Sequence, residues 1–272
     1  MACVRVRAIG VVVLAMFLLV PPVQAELVGE FNARLKDVKR SWGAYTVVAD
    51  ARVYDTTGAP PPPLAAATVH FPRGAALRPR FLAARFLCNP GPLEIRPDPL
   101  LCRGAHFAAG RIVLDARPHI LEPFSADVHM FLGRGSAGAV ANVVVLVIPN
   151  ELTPAYAFQV LEGRLLNRSP AGRRFGYSLE LPTKVKPLIP GLRLHLAEVH
   201  LRIDGLALRR RGRRPLFWTR VPRCPASRKV YFGADYAFEG AAPISRRKRV
   251  SCRRFVRRPA VQREGQIPGA PG

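Results

Sequence analysis

Lysine is scarce in this sequence. Of 42 basic residues only Lys36, Lys39, Lys184, Lys186, Lys229 and Lys248 are lysine, and with abundant alanine and proline that bias marks a GC-rich genome. Part of the formal net charge of +24 is therefore compositional. Long apolar runs are missing too. The best, Ala8 to Val20, falls short of the ~20 residues that a membrane-spanning helix needs. No cysteine pair has CxxC spacing, which argues against a zinc site. The absence of a Gly-x-Ser-x-Gly elbow removes the commonest signature of a serine hydrolase. No internal repeat is present, and the aromatics near the basic clusters that could stack on bases, Phe217, Trp218 and Phe255, are few and equally well explained as core.

The first 25 residues have the pattern of a secretory signal. Arg5 and Arg7 precede the apolar run, and Pro21, Pro22 and the small-residue end Val23-Gln24-Ala25 follow it, so cleavage is expected after Ala25. Glu26 would then lead the mature chain, and no lipid-anchoring cysteine follows the cut. The expected destination is the exterior or the cell envelope. Export leaves an even set of cysteines, Cys88, Cys102, Cys224 and Cys252, which allow three pairings. The sequence-local one, Cys88 with Cys102 and Cys224 with Cys252, is preferred, each bond being worth roughly 3 kcal/mol by loop entropy.

The remaining chain organises itself around residues 68–118. Thr68 to Phe71 reads as a strand stopped by Pro72 and Gly74, and Ala108, Gly110, Ile112, Leu114 and Ala116 alternate with Arg111, Val113 and Asp115. Between them, Pro90, Pro92, Pro97 and Pro99 exclude a long helix or a central strand from the loop that the two cysteines would clip. Other strands are expected at 45–54, 125–132, 139–148, 156–166, 177–182 and 192–203. The run 139–148 is apolar on both faces, as in a strand covered on both sides. In 192–203 the apolar phase moves from even to odd numbers, which predicts a β-bulge near Ala197. Leu27, Phe31, Leu35 and Val38 are spaced as on one side of a short helix, with an edge strand as the alternative. Val230 to Phe238 and Ile244 to Phe255 form a closing hairpin. The expected fold is mostly β: about ten strands in an antiparallel sandwich-like domain, one large unit or two small stacked ones. The boundaries are a signal at 1–25, a lead-in at 26–44, the β domain at 45–256 and a disordered basic tail at 257–272.

Candidate chemistry is thin. Ser125, Asp127 and His129 share a strand face, but neighbours spaced about 7 Å apart along a strand do not close a nucleophile, base and acid triangle. His195, Glu198 and His200 resemble metal ligands, and only the bulge could bring all three to one side. His106 beside Phe107, and Asp115 with His119, lack a third partner. Among Glu94, Asp98, Glu122, Glu151, Glu162 and Glu180 nothing selects a catalytic pair. A solvated strand face is the simpler account throughout, and neither a cofactor nor a metal nor a small-molecule substrate is implied.

Charge is the stronger signal. From Arg209 onward eighteen basic residues face Asp235, Glu239 and Glu264. The clusters Arg209, Arg210, Arg211, Arg213 and Arg214, then Arg246, Arg247, Lys248 and Arg249, then Arg253 and Arg254, are the candidate polyanion-binding residues. Their partners would be an anionic envelope polymer, lipid headgroups or extracellular DNA, contacted non-specifically. A non-catalytic structural or binding role is therefore expected, with a secreted hydrolase assembled from distant loops as the alternative.

Phe71-Pro72-Arg73-Gly74, Cys88, Cys102-Arg103-Gly104, Gly110, Gly176-Tyr177, Cys224-Pro225, Phe238-Glu239-Gly240 and Cys252 form a pattern across 45–252. It resembles secreted, disulfide-bonded β-rich proteins of high-GC Gram-positive bacteria that have no assigned activity. Arg103, His106 and Phe107 depart from it, standing where proline and small residues are expected. The resemblance implies export, disulfides and a β fold, and no chemistry.

Overall fold

Alternating apolar and polar residues produce strands along most of the described chain, and the long strands of the main sheet turn an apolar face to a shared interior. The computed structural model describes residues 26–39, 44–73, 76–77, 87–135, 138–150, 158–167, 169–172, 175–182, 193–204, 207–210, 213–217, 219–220 and 225–252. The expected signal, tail and polyanion-binding residues Arg211, Arg253 and Arg254 lie outside these.

The N-terminal half contributes β1 (Leu27–Lys39), β2 (Ala44–Asp55), β3 (Leu64–Pro72), the two-residue β4 (Ala76–Leu77), β5 (His106–Asp115), β6 (Phe124–Leu132) and β7 (Ala141–Pro149). The C-terminal half contributes β8 (Gln159–Leu166), β9 (Phe175–Pro182), β10 (His195–Ile203), the ribbon β11 (Ala207–Arg210) and β12 (Arg213–Phe217), the two-residue β13 (Thr219–Arg220), and the hairpin β14 (Lys229–Phe238) and β15 (Ala241–Ser251). Apart from the ribbon, the thirteen strands among the described residues join one sheet. Without the two-residue β4 and β13, eleven long strands follow one another as β1, β2, β10, β5, β6, β7, β8, β9, β3, β14, β15. The fold is mostly antiparallel β with a C-terminal hairpin, and the two faces expected of a sandwich are opposite walls of this single curled sheet.

Every ladder along that path is antiparallel. An odd number of strands so arranged leaves the first and last running parallel, so an antiparallel ladder cannot close the ring. The two edges nevertheless meet. Arg246 Nε donates to the Gly29 carbonyl at 2.5 Å, and a Cβ added at Gly29 would lie 3.0 Å from Ile244 Cγ2. Leu27 and Phe31 of β1 join Leu64, Tyr236, Phe238 and Ile244 in one cluster there. The seam is held by side chains.

Of the two readings of the lead-in, short helix or edge strand, the edge strand is the one formed, as β1. A spacing of four is also a multiple of two, so Leu27, Phe31 and Leu35 satisfy a strand equally well. Pairing with β2 from Leu27↔Asp55 through Lys36↔Thr46 decides the matter, because a lone short helix has no comparable partner. The predicted bulge is present: β10 shifts register against β5 between Leu196 and Glu198, at Ala197. Strand β7 is indeed buried on both sides. Val145 and Val147 face the interior, while Val144 and Leu146 face outward with Phe131 and share a buried cluster with Leu93 and Cys88.

That outer cover is the clipped loop. Cys88 and Cys102 are disulfide-bonded with their Cα atoms 5.1 Å apart. Between them a one-turn helix, α1 (Pro90–Ile95), is capped by the Asn89 side chain, which accepts from Gly91 N. A 3₁₀ turn at Pro99–Ala105 is capped in the same way by Asp98. Pro90 and Pro99 sit at the helix starts, where a missing N–H costs little. Cys252 is buried and disulfide-bonded, whereas Cys224 lies outside the described residues.

Candidate functional site

The curled sheet encloses a chamber. Strand parity carries Phe31, Ala49, Val128, Met130, Val145, Val147, Leu181, Leu196, Leu201 and Tyr236 to its wall, leaving a cavity of about 180 Å³. Gln159 and Tyr236 are the polar residues of the wall, while Arg111 and His200 border it with their side chains exposed on the outer face. Burial pushes the Tyr236 phenol well above its ordinary value, so it stays neutral. Protein cores leave few voids of this size unfilled, and an apolar void of about 150 Å³ stays dry and admits benzene. The chamber can therefore hold an aromatic ring or a stretch of acyl chain.

The residues singled out from the sequence lie on the outer wall and do not converge. Ser125 and Asp127 both meet Asn150, Asp127 also pairs with Arg111 at 3.8 Å, and His129 instead contacts His106 at 3.3 Å. Burial holds both of these imidazoles below their ordinary pKa, and their mutual repulsion lowers His106 further. The Ala197 bulge does bring His195, Glu198 and His200 to one side, as the spacing required. Each then takes its own position: Glu198 binds Arg52 at 3.3 Å, His200 binds Asp50, and His195 faces Asp115 across the ladder. Among the described residues no set of three His, Cys, Asp or Glu side chains is placed to hold a metal. Asp115 is buried and gripped by the Arg117 guanidinium at 2.6 Å, so its carboxyl lies below the usual range.

One constellation drew no notice in the sequence. His70, on the outer face of β3, is fully buried. Its Nε2 lies 2.7 Å from Asp235 Oδ2 on β14, and its Nδ1 lies 2.8 Å from Ser169 Oγ in the turn between β8 and β9. Arg247 Nη1 and Ser245 Oγ donate to the other oxygen of Asp235 at 2.6 and 2.8 Å. Burial alone would raise the Asp235 carboxyl, but these donors outweigh it and hold it below its ordinary value. The three positions are about 65 to 165 residues apart, and only the antiparallel pairing of β3 with β9 and β14 unites them.

Comparison with protein-family models, curated proteins and solved structures returned no match.

The basic residues divide by role. Arg246 is spent on the seam and Arg247 on Asp235 and on the Phe175 ring, 5.3 Å away. Lys248 and Arg249 stand exposed on the edge strand with no carboxylate partner among the described residues. Arg209 and Arg210 lie on β11, with Arg213 and Arg214 on β12, where Arg210 pairs with Arg213 in the ribbon.

Proposed function

We propose that the barrel is a binding module, acting outside the cytoplasm, that carries an apolar molecule in its chamber. The single observation behind this is the apolar chamber itself, walled by side chains from nearly every long strand. A cavity of this size lowers stability by about 4 kcal/mol at ~24 cal/mol per Å³. A protein gains from keeping such a space open when a ligand fills it. The ligand class is an uncharged ring or the tail of a medium-chain amphiphile, recognised by shape and desolvation. Native mass spectrometry and thermal shift with a series from hexanol to dodecanol test this. One bound molecule and a rise in Tm with chain length are expected, and no shift at millimolar alcohol would reject the proposal.

Charge supports a second reading, non-specific contact with anionic polymer or headgroups, because Lys248 and Arg249 lie exposed on the terminal strand β15. Binding of this kind weakens steeply with salt. Lys248→Ser with Arg249→Ser should flatten the salt dependence, whereas Arg246→Ser should instead loosen the seam.

A further inference from the structure

Ser169, His70 and Asp235 meet on the outer wall of the barrel, and the arrangement does not depend on what fills the chamber. We propose that Ser169 is an activated nucleophile that accepts an acyl group from carboxylic esters, with His70 as its general base and Asp235 as the residue that positions the base.

The chemistry follows from which atoms face which. Asp235, held ionised by Arg247 and Ser245, accepts the proton that His70 carries on Nε2. That fixes the tautomer. Nδ1 is then the bare lone pair, and it is the atom that Ser169 Oγ approaches at 2.8 Å, so the hydroxyl proton points into the base. Ala171 N donates to the same Oγ at 3.3 Å, which steadies the side chain. Every element packed on the ring contributes. Strand β9 brings Phe175, its centroid 5.4 Å away, and the buried Ser178; β14 brings Asp235, and β15 brings Arg247. Burial keeps the imidazole neutral near pH 7, as a base requires. Ser169 is only half-buried while His70 and Ser178 are fully enclosed, so of these three a reagent in solvent reaches Ser169. A latch that merely closed the turn would need the hydrogen bond and nothing more.

In the reaction the Oγ–H proton passes to His70 Nδ1 as Oγ bonds to the ester carbonyl carbon. Collapse of the tetrahedral adduct breaks the bond to the alkoxide or phenoxide, which leaves with that proton. Water, deprotonated by the same nitrogen, then releases the carboxylic acid and restores Ser169.

The test uses the intact chain with its disulfides formed, treated with a fluorophosphonate and, separately, with p-nitrophenyl acetate. The expected results are one covalent adduct by intact mass, mapped to the peptide containing Ser169, and ester turnover that Ser169→Ala abolishes. Asp235→Asn should slow labelling at least tenfold and change its pH profile, which a structural latch would not do. Ser169→Cys should be alkylated by iodoacetamide at pH 6 at least tenfold faster than free cysteine. Absence of an adduct on the unaltered protein after prolonged exposure to millimolar reagent would overturn the proposal. So would an adduct that maps elsewhere or survives Ser169→Ala. Labelling of the unaltered chain decides the matter even if a variant fails to fold.

Discussion

Filling the chamber should stabilise the protein and end its ability to bind. Ala49 is 9% exposed, sits on β2 and lines the cavity, so Ala49→Leu points three additional carbons into about 180 Å³ of empty space. At ~0.8 kcal/mol per buried carbon, less ~0.5 to 1 for the ordered side chain, the gain is about 1.5 kcal/mol. For a chain of this size that raises Tm by roughly 3 to 6 °C. Fluorobenzene is a suitable probe, because burying on the order of 200 Å² of apolar area gives ~5 kcal/mol, or a Kd near 0.2 mM. At 10 mM it should stabilise the unaltered protein by about 2 kcal/mol and the variant hardly at all. Thermal melts read the first effect and fluorine NMR line broadening the second. A lowered Tm would mean that the space is not there to be filled, and unchanged binding would place the ligand elsewhere; either result refutes the reasoning.

Gly110 is a second point of leverage: a Cβ there would lie 2.0 Å from the His200 carbonyl oxygen. Gly110→Ala should force β5 and β10 apart and cost more than about 3 kcal/mol, seen as a collapse of the urea midpoint. Acid should weaken the fold in two stages. His70, His106 and His129 are all held below their ordinary 6.5, chiefly by burial, so the unfolded chain takes up protons first. Stability from these groups is complete above pH 6.5 and is lost as pH falls below it. Asp115 and Asp235, with depressed carboxyls, add a loss below about pH 4. Urea midpoints at pH 7.5 and 5.5 should therefore fall, and His106→Gln with His129→Gln should flatten the change. Gly29→Cys with Ile244→Cys should form a disulfide across the seam, because a Cβ at Gly29 would lie 3.7 Å from Ile244 Cβ, within the range such bonds require. If ligands enter there, oxidation should slow exchange of a bound alcohol at least tenfold without changing its Kd.

Much of the fold is legible in the sequence because period two is a strong signal. β2, β5 and β6 lie where alternation places them, and the phase change in 192–203 locates the Ala197 bulge to the residue. β1 is ambiguous for an arithmetic reason, since its apolar spacing fits both periods. Closure is invisible, because alternation says which side chains share a face and nothing about whether that face curls onto itself. The chamber is a consequence of closure, so no local pattern announces it. The Ser169, His70 and Asp235 cluster is hidden by distance along the chain: each residue alone is an ordinary polar side chain on a strand or turn. Double burial of β7, by contrast, is plain in the sequence, although its outer cover is the disulfide-clipped loop and not a second sheet.

The seam joins the first long strand of the chain to the last, and its Arg246 to Gly29 contact spans 217 positions. Contacts so remote in sequence form late, because the entropy of closing the intervening loop opposes them until the rest is in place. Until then β1 and β15 are open edges, and an open edge is a template on which a second copy can pair. Arg246, Arg247, Lys248 and Arg249 run consecutively along one of those edges. Charge on an edge strand repels an identical edge, so this cluster would keep partly folded copies apart during the interval before closure, a service that requires no ligand at all.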